Sequence, residues 1–571
     1  MQRLAHSVRV GCALVVTTSI AMAHAAAAQS GPETEAHGTE RTERTERTES
    51  TESTESTPGT ERTEDTANTI GEVTIRSKQL FDPSDPAENN FLYRLANRLH
   101  MSTRESAIRA QLLFRPGDPY DPHQIAETER NLRAMRFLRE PVIRPVRFHD
   151  GVVDLEVRTQ DVWTMSPGVS FGRAGGANHT RLEFEDSNFL GRGKFFEAGI
   201  GSDVDRTSRT LEWRDPSVFG THWQSGLRVA DSTDGGGFEL GLARPFYSLD
   251  THWSAGFSAL SDESVDHRYS LGEIVDGYER NQSEFDLHAG WSTGLHSGWV
   301  RRWVAGLHYD DARFSVSPLA PTPQVLPEDR RLAYPYVSYE VLQDDFSVGR
   351  NYDQIGRTED LCFGTRYRME LGWSSPGLGA DRSAAILGAG FDRGLRLTES
   401  RKLFLSSTLR SRLENGRLRD ALLATNARFF WRTSPRTMFY AGLQADAGHA
   451  LDADHEVRLG GDTGLRGYPL RYQNGSARAL FTLEERVYTD WYPMHLFRVG
   501  GAVFADVGRT WGASAVNEPN LGLLSDIGVG LRFGSTRSAL ANVIHIDLAF
   551  PLQREPGIRG VQFVVETRKS F

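Results

Sequence analysis

Four charged residues in the last quarter of the sequence have the types and spacing to form ion pairs with one another. Arg466 lies in the glycine-bracketed loop "GGDTGLRGYPLRY" (Gly460–Tyr472), and Glu484 and Arg486 share one face of the following segment "RALFTLEERVY". Asp506 comes one segment later. A guanidinium binds a carboxylate through two parallel hydrogen bonds, which orient a loop as well as stabilise it. An Arg466 that faces solvent is the alternative that periodicity alone favours.

Enzyme motifs are weak in this chain. The segment "GVSFG" matches the G-x-S-x-G nucleophile motif, but that motif requires a sharp strand-to-helix turn, and an alternating strand follows here. We therefore expect Ser170 to lie in a strand. The 17 histidines are scattered without metal-ligand spacing. The sequence predicts no enzyme activity, no cofactor and no metal, and Cys362 is interpreted as a small hydrophobe and not as a reactive thiol.

The first 69 residues predict export and a flexible tail. A positive start, a short apolar run and a small-residue stretch predict a secretory signal peptide over residues 1–28, with Ala26-x-Ala28 as the cleavage point. Residues 29–69 are a Thr-Glu-rich repeat with almost no apolar side chain, so we expect this segment to be disordered. After cleavage only Cys362 remains, which excludes an intramolecular disulfide.

Residues 70–160 have the pattern of a small α/β domain. A strand "EVTIRS" precedes a helical period in "ENNFLYRLANRLH", and Asp121 with Pro122 predicts the start of a second helix. Two strands around the turn at residues 149–151 complete the order β-α-α-β-β.

The net charge of −10 gives no support for binding to nucleic acid.

Residues 161–571 are alternating segments separated by turn residues. Apolar and polar side chains alternate in "NVIHIDLAFP" and "DIGVGLRF", and the final strand "VQFVVETRKSF" places Phe563 and Phe571 on one face. No stretch of about 18 apolar residues occurs, so a transmembrane helix is not expected. The pattern predicts a transmembrane antiparallel β-barrel over residues 161–571. A soluble β-sandwich shows the same alternation and is the alternative.

Several motifs resemble the bacterial surface antigen barrels, the superfamily of POTRA-containing outer-membrane barrels that includes BamA, TamA and FhaC. They are "LGGDTG", "LRGY", "LEERVY", "FADVGRTW", "IGVGLRF" and "IDLAFPL". The residues that match the inward loop tip of that family are Arg466, Gly467 and Tyr468, and those that match its wall strand are Phe504, Asp506, Gly508 and Trp511. Glu484 matches the acidic position of the preceding strand less securely, because Glu485 is adjacent. The resemblance implies that Arg466 points into its own barrel at Asp506.

The resemblance also implies an architecture and a function. We expect a mainly β protein with a C-terminal barrel of 16 strands, preceded by one POTRA-like domain at residues 70–160 in the periplasm. The implied function is insertion of β-barrel proteins into the outer membrane, or translocation across it, through a weak seam near residues 162–173 and 561–571. The expected partners are unfolded outer-membrane or secreted client proteins and the lipid bilayer. Periplasmic proteins that bind the POTRA-like domain are a further, optional class of partner.

Two alternative functions stay open. A dedicated secretion pore for one exported protein differs from a general assembly factor only in the breadth of its clients, which the sequence does not encode. A passive porin or structural surface protein belongs to another class and needs no POTRA-like domain. The chain also departs from better-known relatives, because only one such domain can be placed.

Overall fold

The computed structural model describes residues 69–86, 88–514, 516, 521–539, 542–553 and 558–568. The predicted signal peptide, the Thr-Glu-rich segment up to residue 68 and Phe571 lie outside these ranges. Among the described residues no helix is long and apolar enough to cross a bilayer.

The N-terminal region is a three-stranded sheet with three helices. Its elements are β1 (Thr69–Lys78), α1 (Phe91–Leu99), α2 (Glu105–Arg109), α3 (Pro122–Ala134), β2 (Leu138–His149) and β3 (Val152–Asp161). The strand order is β1-β3-β2, with β1 parallel and β2 antiparallel to β3. Asp121 caps α3 by accepting a hydrogen bond from the His123 N–H at 2.9 Å. Ile108 and Leu132 are buried against the inner residues of β3, among them Val153 and Leu155.

The rest of the described chain is almost entirely strand. In order, the strands are β4 (Met165–Ala174), β5 (Ala177–Phe189), β6 (Lys194–Ser202), β7 (Thr207–Asp215), β8 (Gln224–Ser232), β9 (Gly235–Arg244), β10 (Trp253–Ser270), β11 (Glu273–His296), β12 (Trp299–Val316), β13 (Arg330–Gln343), β14 (Phe346–Arg350), β15 (Thr358–Cys362), β16 (Arg366–Ser374), β17 (Ala384–Arg396), β18 (Arg401–Glu414), β19 (Arg417–Ser434), β20 (Thr437–His449), β21 (Val457–Leu459), β22 (Gln473–Gly475), β23 (Ala477–Tyr488), β24 (Phe497–Trp511), β25 (Leu524–Ser535), β26 (Val543–Pro551) and β27 (Gln562–Arg568). Short 3₁₀ turns cover Val218–Gly220, Pro376–Leu378 and Pro493–His495.

The predicted fold class is wrong in two respects. Of the strands β4 to β27, twenty form one closed barrel, where 16 were expected. The four that do not belong to it are β14, β15, β21 and β22. Alternation identifies a strand but not how many strands close the ring, and the number 16 came from the resemblance alone. In place of the expected POTRA domain, the structure has only the small N-terminal region, because a strand-and-helix pattern fixes local elements and not the fold that they assemble.

The barrel wall is apolar outside and largely polar inside. On β26, His545 and Asp547 are fully buried inside the barrel, whereas Leu548 and Phe550 are exposed on its outer surface. Many other large apolar residues are exposed on the wall, including Leu211, Leu227, Phe285, Trp303, Met369, Leu371, Val503, Val529 and Leu531. An outer apolar surface over a polar interior is typical of barrels that span a membrane.

The N-terminal region lies at one end of the barrel, which we call the near end; the opposite end is the far end. In the turn between β9 and β10, the Leu249 N–H donates to Glu127 of α3 at 2.8 Å. The Arg104 N–H donates to the Gly191 carbonyl, just after β5, also at 2.8 Å. Backbone and side-chain hydrogen bonds therefore both hold this region against the barrel rim.

Two segments fold into the barrel from opposite ends. The Arg466 loop, residues 450–476, joins β20 to β23 at the far end and contains the two-stranded sheet β21-β22. The inward hairpin, residues 344–365, joins β13 to β16 at the near end and contains the sheet β14-β15. Inside the barrel, apolar residues of the hairpin (Tyr352, Ile355, Leu361, Phe363) form one cluster with wall residues Phe404, Phe430, Met438, Tyr488, Ala502 and Val543.

Candidate functional site

Arg466 is buried at the centre of a charge cluster on the barrel wall. Its side chain is 1% exposed. The Nε and Nη2 groups donate to the two carboxylate oxygens of Asp506 at 2.7 and 3.0 Å, and Nη1 donates to Glu484 at 2.8 Å. The guanidinium lies 3.4 Å from the ring centre of Phe504. The structure therefore brings together the loop arginine and both acidic wall residues, with an aromatic face beneath them.

The loop tip requires glycine after Arg466. The Gly467 N–H donates to the Asp526 carboxylate at 2.9 Å, and a Cβ at Gly467 would lie 2.6 Å from the Cβ of Asp526. Tyr468 is fully buried, and its hydroxyl donates to the Ser525 carbonyl at 3.0 Å. Gly467 and Tyr468 thus attach the tip to β25, while Arg466 attaches it to β23 and β24.

Arg486 connects the charge cluster to the inward hairpin. Its Nε donates to Glu484 at 2.9 Å, on the carboxylate oxygen that Arg466 does not use. Its Nη1 donates to the backbone carbonyl of Tyr352 in the hairpin at 3.1 Å. Glu484 and Arg486 therefore link the two lumen segments through the wall strand β23.

Two acidic members of this site were not assigned from the sequence. Asp526 accepts the Gly467 N–H, and Asp547 of β26 lies 3.6 Å from Arg466 and pairs with Arg532. Both are fully buried. Strand parity could have found them, because Asp526 shares a face with Arg532 and Asp547 shares one with His545.

The remaining predicted site residues divide between the two faces of the wall. Gly508 is inside, where an added Cβ would lie 3.0 Å from Leu459 of the Arg466 loop, so a larger residue would press on the loop. Trp511 and Phe563 are 43% and 45% exposed on the outer face. Both side chains therefore lie on the outer surface of the wall, away from the charge cluster.

The barrel closes through a narrow seam between its first and last strands. Within the described residues, β27 pairs with β4 only at Val565 and Arg173. By contrast, β5 pairs with every residue of β4, and β26 pairs with every residue of β27. Strand pairing is the main source of cohesion in a barrel wall, so this junction is its weakest point.

The Arg466 loop contacts the wall on both sides of the seam. On the β4 side, the Leu470 N–H donates to the Gly175 carbonyl at 3.0 Å. Gly175 has φ +57°, and a Cβ there would lie 2.2 Å from the Leu470 nitrogen, so this close approach requires glycine. On the β27 side, the loop tip holds Ser525 and Asp526 of β25 as described above. The loop therefore bridges the seam at the far end.

The segment before β4 bridges the same seam at the near end. The Trp163 N–H donates to the Arg537 carbonyl at 2.7 Å, and the Ala539 N–H donates to the Trp163 carbonyl at 2.9 Å. Arg537 and Ala539 lie between β25 and β26. The weak junction is thus held at both ends by segments outside the wall itself.

The N-terminal region contacts the inward hairpin through α3. Arg133 donates to both carboxylate oxygens of Asp360 at 2.8 Å each. Arg130 and His123 both pair with Asp344, at the base of the hairpin. Burial raises the pKa of the nearby Glu127 carboxyl to about 7 from 4.5, although the Leu249 N–H and Arg130 lower it.

One acidic cluster has ligand types that a metal ion could use. Asp420, Asp452 and His455 approach one another near the far end. However, Arg412 donates to both oxygens of Asp452 at 2.8 and 3.1 Å, and Arg330 donates to it at 2.8 Å. Arginines already neutralise this carboxylate, so the cluster is an ion-pair network.

The serine of the G-x-S-x-G match offers no nucleophile site. Ser170 lies within β4, and the motif's residues continue along the strand without a turn into a helix. It therefore lacks the local geometry that the motif needs.

No protein-family model and no curated protein sequence matches the chain. Solved structures similar to it include CdiB from Escherichia coli (12% identity, 89% of this chain and 77% of that chain, TM-score 0.46). CdiB from Acinetobacter baumannii follows (10% identity, 88% and 73%, TM-score 0.42). BamA from Haemophilus ducreyi lacking POTRA domains 1–3 is also similar (14% identity, 87% and 84%, TM-score 0.36). Because every TM-score is below 0.5, the function proposed below rests on the residues of this chain.

The closed barrel and its apolar outer surface support a location in the outer membrane.

Proposed function

We propose that this chain inserts β-barrel proteins into the outer membrane or moves client proteins across it, with its N-terminal region in the periplasm. The observation that carries the proposal is the seam, where the described parts of β27 and β4 share one residue pair while the Arg466 loop bridges both sides. A junction with so little strand pairing can open and pair with the edge of a client strand. No energy source or cofactor is needed for such pairing.

The lumen contents count against a passive porin. The Arg466 loop and the inward hairpin both occupy the interior, and each is fixed by buried side chains. A diffusion channel works best with a clear lumen, whereas a barrel that opens at a seam benefits from an interior that sets its shape.

A general assembly factor and a dedicated secretion pore share this seam and this lumen. They differ in client breadth, so both stay within the proposal, the secretion pore as the alternative. In either case, the Arg466 cluster holds one conformation of the barrel while the seam works. The outer strands β1 and β2 of the N-terminal sheet offer a further place for an extended client to pair, beyond the residues already bonded to neighbouring segments.

The proposal is tested by locking the seam with a disulfide. We would replace Val565 and Arg173, which face each other across the seam, with cysteine, in a Cys362→Ala background. Oxidation should reduce the arrival of client proteins in the outer membrane or outside the cell at least fivefold, and a reductant should restore it.

A matched control shares one of the two positions. Val565 also faces Ile546 of β26, inside the continuous wall, so Val565→Cys with Ile546→Cys gives a cross-link of similar geometry away from the seam. This control should transport clients normally in either redox state. Full client transport by the oxidised seam variant would refute a function of the seam.

A further inference from the structure

Helix α1 exposes its apolar face. Phe91, Leu92, Leu95 and Leu99 fall on one side of the helix, and their exposed fractions are 67%, 68%, 39% and 57%. No residue of α1 is buried. A surface helix of a soluble domain normally turns its apolar stripe toward the core. A continuous apolar patch on a fixed helix marks an interaction surface.

The opposite face fixes this orientation. The ring of Tyr93 stacks on Phe81 with centres 4.3 Å apart. The Asn97 side chain accepts from the Phe81 N–H at 3.0 Å and donates to the Phe81 carbonyl at 2.8 Å. Asn90 caps the helix by accepting from the Tyr93 N–H at 3.0 Å. Turning the apolar face inward would break the contacts of Tyr93 and Asn97 with Phe81, so its exposure is built into the fold.

The helix adjoins the rim of the barrel at the turn between β23 and β24. The Tyr93 hydroxyl donates to the Met494 carbonyl at 2.8 Å. In that turn, Trp491 and Met494 are each 64% exposed. The two strands continue from it into the apolar outer surface, where Val487 and Val503 are exposed. Helix α1 is therefore attached to the rim next to two strands that carry the apolar outer surface of the barrel.

The charges of α1 suit an anionic surface. Phe91–Leu99 contains two arginines and no acidic residue. At 100° per residue, Arg94 and Arg98 lie along one flank of the apolar face, and both are exposed. Arginine beside an apolar stripe, with an exposed tryptophan at the same level, is typical of helices that lie in the headgroup region of a bilayer.

We propose that α1 is a membrane-surface helix. It lies in the leaflet at the near end of the barrel, with Phe91, Leu92, Leu95 and Leu99 among the acyl chains and its arginines at the lipid phosphates. The helix thereby holds the N-terminal region against the bilayer beside the turns that precede β24 and β26, close to the seam.

The test places a fluorescent label on the apolar face. A Leu92→Cys variant of the full chain, with both native cysteines replaced by alanine, is labelled with an environment-sensitive dye and reconstituted in vesicles of phosphatidylethanolamine and phosphatidylglycerol. Lipids with brominated acyl chains should quench this label at least twofold. Val146→Cys is the matched control, because Val146 is an exposed apolar residue of β2. It lies roughly 25 Å along the strand from Leu138, the end of β2 that is next to the barrel. Its label should lose less than a tenth of its fluorescence.

Two results would overturn the proposal. One is quenching at Leu92 no greater than at Val146 in vesicles where the barrel is folded. The other is efficient disulfide formation between Leu92→Cys copies without quenching, which would identify a second copy of the chain as the occupant. Both positions are exposed, so the substitutions test contact and not folding.

Discussion

The Arg466 loop and the inward hairpin enter the same lumen from opposite ends, but charged contacts are more prominent at the loop tip and aromatic contacts in the hairpin. The loop tip is fixed by buried charges, since Arg466 contacts Asp506 and Glu484 at hydrogen-bond distance. The hairpin is fixed by aromatic packing, such as the contact of Tyr352 with Phe430, whose ring centres are 5.3 Å apart. Removing one partner of a buried ion pair costs much stability, because the remaining charges stay buried without a partner. An apolar cluster loses stability in proportion to the apolar area removed.

The two segments also differ in what they connect. The loop bridges the seam, through Gly175 on one side and Asp526 on the other. The hairpin connects the lumen to the N-terminal region through the pairing of Asp360 with Arg133. Arg486 joins both segments. We therefore expect a movement of the loop to affect the seam, and a movement of α3 to affect the hairpin.

Arg466→Ala should have the largest effect. Breaking a buried ion pair costs about 3–5 kcal/mol, enough to release the loop tip from the wall. We expect a folded, inserted barrel with client transport reduced at least tenfold. Arg466→Lys should restore little, because an ammonium cannot bind Asp506 through two parallel bonds. Arg417→Ala, at the exposed first residue of β19, is the control. Normal transport by Arg466→Ala at equal abundance would contradict the role of the cluster.

Tyr352→Ala should release the hairpin and leave the loop in place. Removing a buried aromatic ring costs about 3 kcal/mol. The expected result is a higher ion conductance in planar bilayers and protease cleavage within residues 344–365. Tyr352→Phe keeps the ring and should behave like the unmodified protein. If Tyr352→Ala leaves conductance unchanged, the hairpin does not close the near end.

Asp360→Asn should loosen α3 with little effect on the charge cluster. The bidentate contact with Arg133 is partly exposed, and losing its charge should cost about 1.5 kcal/mol. Hydrogen exchange should show faster exchange in α3 and unchanged protection of residues 460–472. Glu399→Gln, in the exposed turn between β17 and β18, is the control. Equal loss of protection in the Arg466 loop would show that the two segments unfold together.

Glu127→Gln should have the smallest effect, visible as a change in pH dependence. Burial raises the pKa of Glu127 to about 7, so the docked state binds a proton that the undocked state releases near 4.5. The equilibrium for docking of α3 therefore becomes less favourable as the pH rises from 4.5 through about 7. Between pH 6 and 8 the loss is roughly tenfold. Arg130, His123 and Asp344 face the same carboxyl.

The readout is hydrogen exchange in α3 at several pH values. The unmodified protein should lose protection from pH 6 to 8, and Glu127→Gln should lose less, because the amide oxygen can still accept the Leu249 N–H. Identical pH profiles for the two proteins would show that Glu127 does not control docking.

The sequence identified the loop better than the hairpin for a physical reason. Strand parity places Glu484, Arg486 and Asp506 on the inner face, and a single arginine between glycines suggested an inward tip. The hairpin lacks such a signal. Only the apolar cluster around Tyr352, which the structure shows, places it inside the barrel.

Other differences arise from closure and docking, which local patterns do not encode. The number of strands depends on how the whole wall closes, so 20 could not be deduced from alternation. The helical period of α1 was visible in the sequence, but the contacts of Tyr93 and Asn97 that turn its apolar face outward join distant segments. The sequence therefore indicates which faces are apolar more readily than what covers them.

The central claim is that the barrel delivers client proteins into or across the outer membrane. Its most direct test is quantitative proteomics of outer-membrane and culture-supernatant fractions after depletion of this protein. The account predicts a loss of many barrel proteins from the membrane, or of a single exported protein from the supernatant, restored by the unmodified protein but not by Arg466→Ala. Unchanged levels in both fractions would contradict it.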